Sequence, residues 1–280
     1  MSKKSVASLI VVAALALAAS PARAELQWSD NSFRYWYGSA FREPANPNNV
    51  AKNVFGFTHV DGYKWGGNFL GLSLLYSSLK DPVRNVGNEG AAEVYAVYRH
   101  TLSFNKVGNT KMFSFGPVRD VGFVLGVDAN TKNHQFESRK IMPTGGLQLA
   151  FAVPGFLTVD FLLNKEWAIN GINGRSVEFD VTPMLAAAWG IPLYGPVAFE
   201  GYGSMNLPKG KDGFNADTKT EILLHPKLMV DIGTLWGSKG YQLGVGYQWW
   251  MNKFGNDHDA VGSRGGAYER AIFGEVAIHL

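Results

Sequence analysis

No cysteine occurs among the 280 residues, and that absence sets the first boundary. An exported chain of this size is then held by backbone pairing and packing alone; disulfides, a lipoprotein anchor, thiolate metal sites and thiol nucleophiles are excluded together. Also missing, after Ala24, is any apolar run approaching the roughly 20 residues that a membrane-spanning helix needs. Net charge is missing as well. The formal +3 comes from Lys3, Lys4 and Arg23, and beyond them 23 of the 26 basic residues face 23 acidic ones. Such a balance leaves no electrostatic footprint for nucleic acid, and that class of partner is excluded.

Enzyme signatures are equally thin. The six histidines, His59, His100, His134, His225, His258 and His279, are scattered, with no helical i, i+4 pair and no metal spacing. His59 and Asp61 share a strand parity, which admits a dyad or a plain hydrogen bond at a rim. His258 lies between Asp257 and Asp259 in an expected loop, which admits a weak cation site or a solvated turn. Gly262 to Gly266 precede no helix and so cannot form a phosphate-cradling loop. No catalytic residue, metal or cofactor is expected.

What the chain does contain is a leader and a strict alternation. Lys3 and Lys4 precede an apolar run from Leu9 to Ala19, then Pro21 and the small-residue site Ala22-Arg23-Ala24, the pattern of a secretory signal peptide over residues 1–24. The remainder, 25–280, suits one domain. Hydrophobic residues make up 46% of the chain, with 33 glycines and 13% aromatics, yet no window is long enough to span as a helix. A β-barrel accounts for this, because its apolar residues are spread singly along strands that face lipid. From Asp120 to Asp128 one parity holds Val121, Phe123, Leu125 and Val127 and the other Asp120, Gly122, Val124, Gly126 and Asp128. The same split recurs at Leu157–Asn164, Val177–Ile191, Ile222–Ile232 and Tyr241–Trp249, and in the last strand, where Ile272, Gly274, Val276, Ile278 and Leu280 oppose Phe273, Glu275, Ala277 and His279.

Turn clusters rich in Gly, Asn and Asp punctuate these runs. About twelve strands follow, near 33–42, 51–61, 65–79, 90–104, 118–130, 139–153, 155–167, 176–192, 195–206, 220–235, 240–252 and 267–280, an even number as a single-chain bacterial barrel requires. The expected fold is an all-β, antiparallel transmembrane β-barrel after a cleaved signal peptide. Pro143, Pro183 and Pro226 fall inside expected strands and call for strand ends or bulges. Trp28, Trp36, Trp65, Trp167, Trp189, Trp236, Trp249 and Trp250 lie mostly near strand ends, where an interfacial girdle would hold them; Trp36 and Trp250 do not fit that scheme, and the first strand leaves the direction of Tyr35 and Tyr37 open.

Several stretches carry a family resemblance. Ser32 to Pro44, with Arg34-Tyr35-Trp36-Tyr37-Gly38 at its centre, Lys52 to Phe69, Val94-Tyr95-Ala96-Val97-Tyr98-Arg99, and Ser114 to Asp120 resemble the Tsx-like family, the nucleoside-specific channel-forming proteins of the outer membrane that include the OmpK phage receptors. The resemblance extends over 25–280 and is densest before residue 130. It implies a monomeric twelve-stranded barrel in outer-membrane lipid, with a narrow, aromatic-containing pore for nucleosides or similar small polar solutes, that phages or colicins use as a receptor. Leu280 departs from the terminal aromatic residue usual in such barrels.

A nucleoside is uncharged, with a flat base and a hydroxyl-rich sugar, so a selective pore needs aromatic faces and polar groups together. On the expected lumen parities the aromatic candidates are Phe55, Phe57, Phe69, Tyr95, Tyr202 and Trp250. The ionisable candidates are Glu93, Arg99, Asp120, Asp128, Asp160, Asp180, Glu200, Lys227, Asp231 and Glu275. The plainer account of any one of them is a salt-bridged, hydrated inner wall. Two rivals to a passive channel stand beside it: a surface receptor or structural barrel, and an outer-membrane lipase or protease, the latter opposed by the lack of a Ser/His/Asp arrangement.

Overall fold

The computed structural model describes residues 25–82 and 88–280; the expected leader, 1–24, lies outside them. Fourteen strands run in chain order: β1 (Leu26–Phe41), β2 (Val50–Tyr63), β3 (Gly66–Ser77), β4 (Ala92–Ser103), β5 (Val118–Lys132), β6 (Arg139–Phe151), β7 (Phe156–Asn164), β8 (Trp167–Ile169), β9 (Ser176–Glu178), β10 (Thr182–Pro192), β11 (Val197–Asn206), β12 (Glu221–Asp231), β13 (Tyr241–Met251) and β14 (Tyr268–His279). Twelve of them close into a ring, each antiparallel to the next. Tyr35 on β1 pairs with Phe55 on β2 and with Val276 on β14, and β5 pairs with β6 to complete the circuit. The pairing continues past β14, for Leu280 and Asn31 exchange backbone hydrogen bonds of 2.8 and 3.4 Å. A ring has no edge, so no row of backbone donors is left unpaired in the wall.

The two ends of the ring differ. At one end, which also carries Leu26 and His279, three connections are tight, Lys64-Trp65, residues 152–155 and 193–196, and two are longer, 104–117 with a helical turn at Phe104–Gly108 and 232–240 with a 3-10 turn at Ile232–Trp236. Gly66 closes the tightest of these, where an added Cβ would lie 1.8 Å from the Thr101 carbonyl oxygen. At the other end six segments connect the strands, the longest of them over 165–181, 252–267, 207–220 and 78–91, and β8 and β9 form a hairpin there, β8 continuing the edge of β6 through the pair Arg139 and Ile169. These are called the turn end and the loop end.

Alternation sorts the side chains as a barrel demands. The outer face carries a belt of exposed apolar residues, among them Phe33, Leu74, Leu125, Phe161, Leu228, Val245 and Ile272. Tyr35 and Tyr37 belong to this outer face, Tyr35 donating to Asn53 Oδ1 at 2.8 Å, whereas Trp36 points inward towards His225. The inner face is polar but partly filled. Val124, Met142, Leu162 and Met184 pack together across β5, β6, β7 and β10, and Phe41, Ala271 and Phe273 do so on the far side with Trp36. A wall of this strand number at ordinary spacing and tilt is roughly 24 Å across between backbones, so side chains of this size narrow it to a slender bore.

Two expectations are refined. The strand expected over 176–192 is broken, because Phe179 to Val181 leave the sheet: Phe179 is buried under the Lys209 ammonium, 4.2 Å from its ring centroid, and Asp180 N–H donates to the Lys209 carbonyl at 3.0 Å. The prolines are absorbed by the register. Pro143 and Pro183 stand one residue outside the β6–β7 and β10–β11 ladders, which begin at Thr144 and Met184, and the β12–β13 ladder skips Pro226, resuming at Leu224 and Lys227.

Candidate functional site: the barrel lumen

The inner face is organised in three levels. Near the loop end, carboxylates and lysines interlock beneath the loops. Glu43 bonds Lys52 and lies 3.0 Å from Lys132, which reaches Asp81 at 2.7 Å; Glu166 accepts from Lys209 at 2.7 Å. Glu269, wholly buried, accepts from Lys253 at 2.8 Å, from the Arg42 N–H at 2.7 Å and from Gln248. Trp250 Nε1 donates to Glu221 at 2.8 Å, and Lys253 lies 4.4 Å from its ring. Burial works to raise the Glu43 carboxyl, but Lys132, Lys52 and Lys253 outweigh it and hold the group well below its ordinary 4.5. His134, beneath the loops, is pushed down by burial and by Lys132. Its hydrogen bonds suit the neutral ring: Nε2 donates to the Gly171 carbonyl at 2.8 Å and Nδ1 accepts the Ser138 N–H at 3.3 Å. Glu43, Asp81, Lys132, His134, Ser138 and Glu166 are among the residues that line a cavity of about 170 Å³.

At mid-height the two walls differ. On one, Arg99 and Asp128 pair at 2.5 Å, the Tyr95 hydroxyl donates to Asp128 at 3.3 Å, and Asp160 stands two strands away. Phe69 projects from β3 on this side, across the strand pair from Arg99, and remains 37% exposed. On the other wall Tyr202, His225 and Phe273 stack face to face, with centroids 4.7 and 4.6 Å apart, and Trp36 meets His225 edge-on. The stack exists because β13 contributes Gly246 at that point: a Cβ there would lie 2.1 Å from the Phe273 ring. Phe273 and His225 are buried, but Tyr202 is 44% exposed. In the ring β3 and β11 are six strands apart by either route, so Phe69 and Tyr202 project from opposite walls.

Below the stack lies a charged quartet. Glu275, 1% exposed, accepts from Arg34 and Lys227, both at 2.8 Å. Glu200 is held more loosely, 3.4 Å from Arg34 and 3.8 Å from Lys227, and accepts from Gln242 at 3.3 Å. Two cations and two anions on one side of the ring, on β1, β14, β12 and β11, cancel in net charge while leaving a strong local field at that wall.

Most of the residues singled out by alternation therefore stand on the inner face: Phe69, Glu93, Tyr95, Arg99, Asp128 and Asp160 on β3 to β7, and Glu200, Tyr202, Lys227, Trp250 and Glu275 on β11 to β14. Phe55 and Phe57 do not. They lie on the outer face against Tyr35 and Phe33, at centroid distances of 5.1 and 5.2 Å, while Lys52, Val54 and Gly56 face in. Their parity includes His59 and Asp61, which gave it a polar cast; those two lie near the turn end, where Asp61 takes Asn68 at 2.9 Å and His59 takes Asn31 at 2.8 Å. Polar groups suit the outer face there, at headgroup level. Asp180 is also displaced, exposed in the segment after β9. Asp120 and Asp231 keep the inner parity but serve the turns: Asp120 accepts from Ser103 at 2.5 Å, and Asp231 caps Gly233 and Gly240 at 3.0 and 2.9 Å. His258 is tied to Asn252 Oδ1 at 2.7 Å. Arg34, Trp36, His225, Phe273 and Gln242 were missed as members of the site. The parity of β14 already placed Phe273 beside Glu275; for Arg34 and Trp36 no signal separated the two faces.

Neither a family model nor a curated protein matches this chain. Solved structures do. The NanC porin superposes with a TM-score of 0.52 at 10% identity, covering 89% of this chain and 100% of its own. The KdgM porin gives 0.45 at 10% identity, with 89% and 98% covered, and the translocator domain of the autotransporter NalP from Neisseria meningitidis gives 0.39 at 12%, with 99% and 96% covered. At such identity the NanC likeness establishes the closed antiparallel barrel.

Proposed function

We propose that the chain is an outer-membrane channel through which small polar solutes diffuse passively, with nucleosides as the preferred class. The exposed apolar belt suits a bilayer, and the three tight turns at one end with the long segments 165–181, 207–220 and 252–267 at the other match the periplasmic and outer faces of bacterial barrels. One observation carries the solute class: within the bore, the Tyr202 ring keeps an open face directly beside the loosely held Glu200 carboxylate, on the wall opposite Phe69. A flat base stacks on such a ring, and sugar hydroxyls donate to such a carboxylate. A neutral solute also avoids the cost of entering a quartet whose charges already cancel. The Tsx-like resemblance, densest before residue 130, points the same way, and monomeric assembly and use of the loops by phages or colicins are proposed on that resemblance alone.

In planar bilayers, added nucleoside is expected to reduce single-channel conductance. Tyr202→Ala raises the blocking concentration about fivefold or more, as the loss of one base–aromatic stack of roughly 1–3 kcal/mol requires, while Phe57→Ala on the outer face leaves block unchanged. Equal block in wild type and Tyr202→Ala refutes the stacking role; a barrel that inserts without conducting favours the receptor.

A further inference from the structure

The cavity beneath the loops holds a cation that the protein leaves without a counter-ion. The carboxylates lining it all have partners: Glu43 has Lys52 and Lys132, Asp81 has Lys132, Glu166 has Lys209, Glu93 accepts from Asn130 at 2.7 Å, and Asp212 accepts the backbone N–H groups of Phe214 and Ala216. Lys140 differs. It stands half-buried on the inner face of β6, its ammonium 5.3 Å from the Tyr95 ring centroid. Its cross-strand neighbours are Asn130 and Ala168, both uncharged. Among the described residues no carboxylate comes within the 4.0 Å of an ion pair, since the nearby Asp128 is taken by Arg99 and Tyr95.

An ammonium brings three donors and no acceptor, and a concave site with partly excluded water strengthens its attraction for an anion. We propose that this vestibule is an anion-docking station, in which a small hydroxyl-bearing solute sets a single carboxylate or phosphate group on Lys140. About 170 Å³ accommodates a body of monosaccharide size, with Phe179 and Ile169 as an apolar wall and Ser138 and Asn170 as polar ones. The other charges of the cavity and of the bore are largely engaged with one another, so Lys140 is the point at which an anionic group gains most. That docked solutes then move on through the bore rests on the channel reading; the docking itself does not.

The test is equilibrium binding to the full, detergent-solubilised barrel by titration calorimetry, with glucose, glucuronate and glucose 6-phosphate as probes. At low ionic strength at least one of the two anions is expected to bind about tenfold more tightly than glucose, a difference of about 1.4 kcal/mol, and the tighter of them identifies the group as carboxylate or phosphate. Added salt erodes the advantage. Lys140→Gln abolishes it and Lys140→Arg retains it, with folding of each variant verified by heat-modifiable electrophoretic mobility. Equal affinity for all three probes, or an anion advantage that survives in Lys140→Gln, overturns the proposal. Conductance recordings separate the two readings: probe binding to a barrel that inserts without conducting leaves the docking site standing and removes the channel.

Discussion

Glu43 lies in the segment between β1 and β2, where burial works to keep its carboxyl protonated and Lys132, Lys52 and Lys253 work to ionise it; the lysines win, and the group stays well below 4.5. A carboxyl depressed in the folded state stabilises that state above its unfolded value and loses the contribution as pH falls through the folded one. The loop end is therefore expected to show constant protection at neutral pH and to loosen only as pH drops below about 4.5, read by hydrogen exchange over residues 42–49, and Glu43→Gln should remove that acid limb. Glu43 and Lys52 lie only nine residues apart in the chain. Lys132, at the loop end of β5 four strands from β1, reaches Glu43 only through closure of the ring, which no local pattern reveals. The same limit hid Arg34, whose partners Glu200 and Glu275 come from β11 and β14.

Alternation is a property of an element, and there the sequence was most informative. It located the wall strands and sorted β4, β5, β12, β13 and β14 correctly, because each combines a run of apolar residues on one parity with glycine or charge on the other. It failed on β2, where Phe55 and Phe57 share a parity with His59 and Asp61: a strand that crosses both hydrocarbon and interface changes its outward chemistry along its length, so polarity near one end does not mark the inner face. Neighbouring elements also set each other's contents. Gly246 on β13 lets the Phe273 ring of β14 lie across to His225 on β12. Gly246→Val is expected to break this stack, since the buried ring has no room to retreat, and so to lower nucleoside block in bilayers at least as much as Tyr202→Ala while β13 still pairs. Unaltered block would show that the stack is not what presents Tyr202.

For the whole molecule, solvent arrangement is inverted, with an apolar exterior and a polar, partly filled interior. Leu125, 53% exposed at the middle of β5, belongs to the belt that lipid would cover. Leu125→Arg is expected to cost about 2–4 kcal/mol in urea unfolding from liposomes, the penalty for a cation at the midplane of a bilayer barrel; a negligible cost would contradict the membrane placement of this wall. The sequence by itself determined the strand count, the antiparallel order, the absence of disulfides and the faces of most strands, because a period of two is written in each segment and needs no partner to express it. Only the tertiary structure decided which inner-face charges meet, that Tyr202 keeps an open face, and that Lys140 lacks a counter-ion. Those facts depend on closure and on the stagger between strands, which bring together residues as distant as Arg34 and Glu275, and no local pattern encodes a distance across a ring.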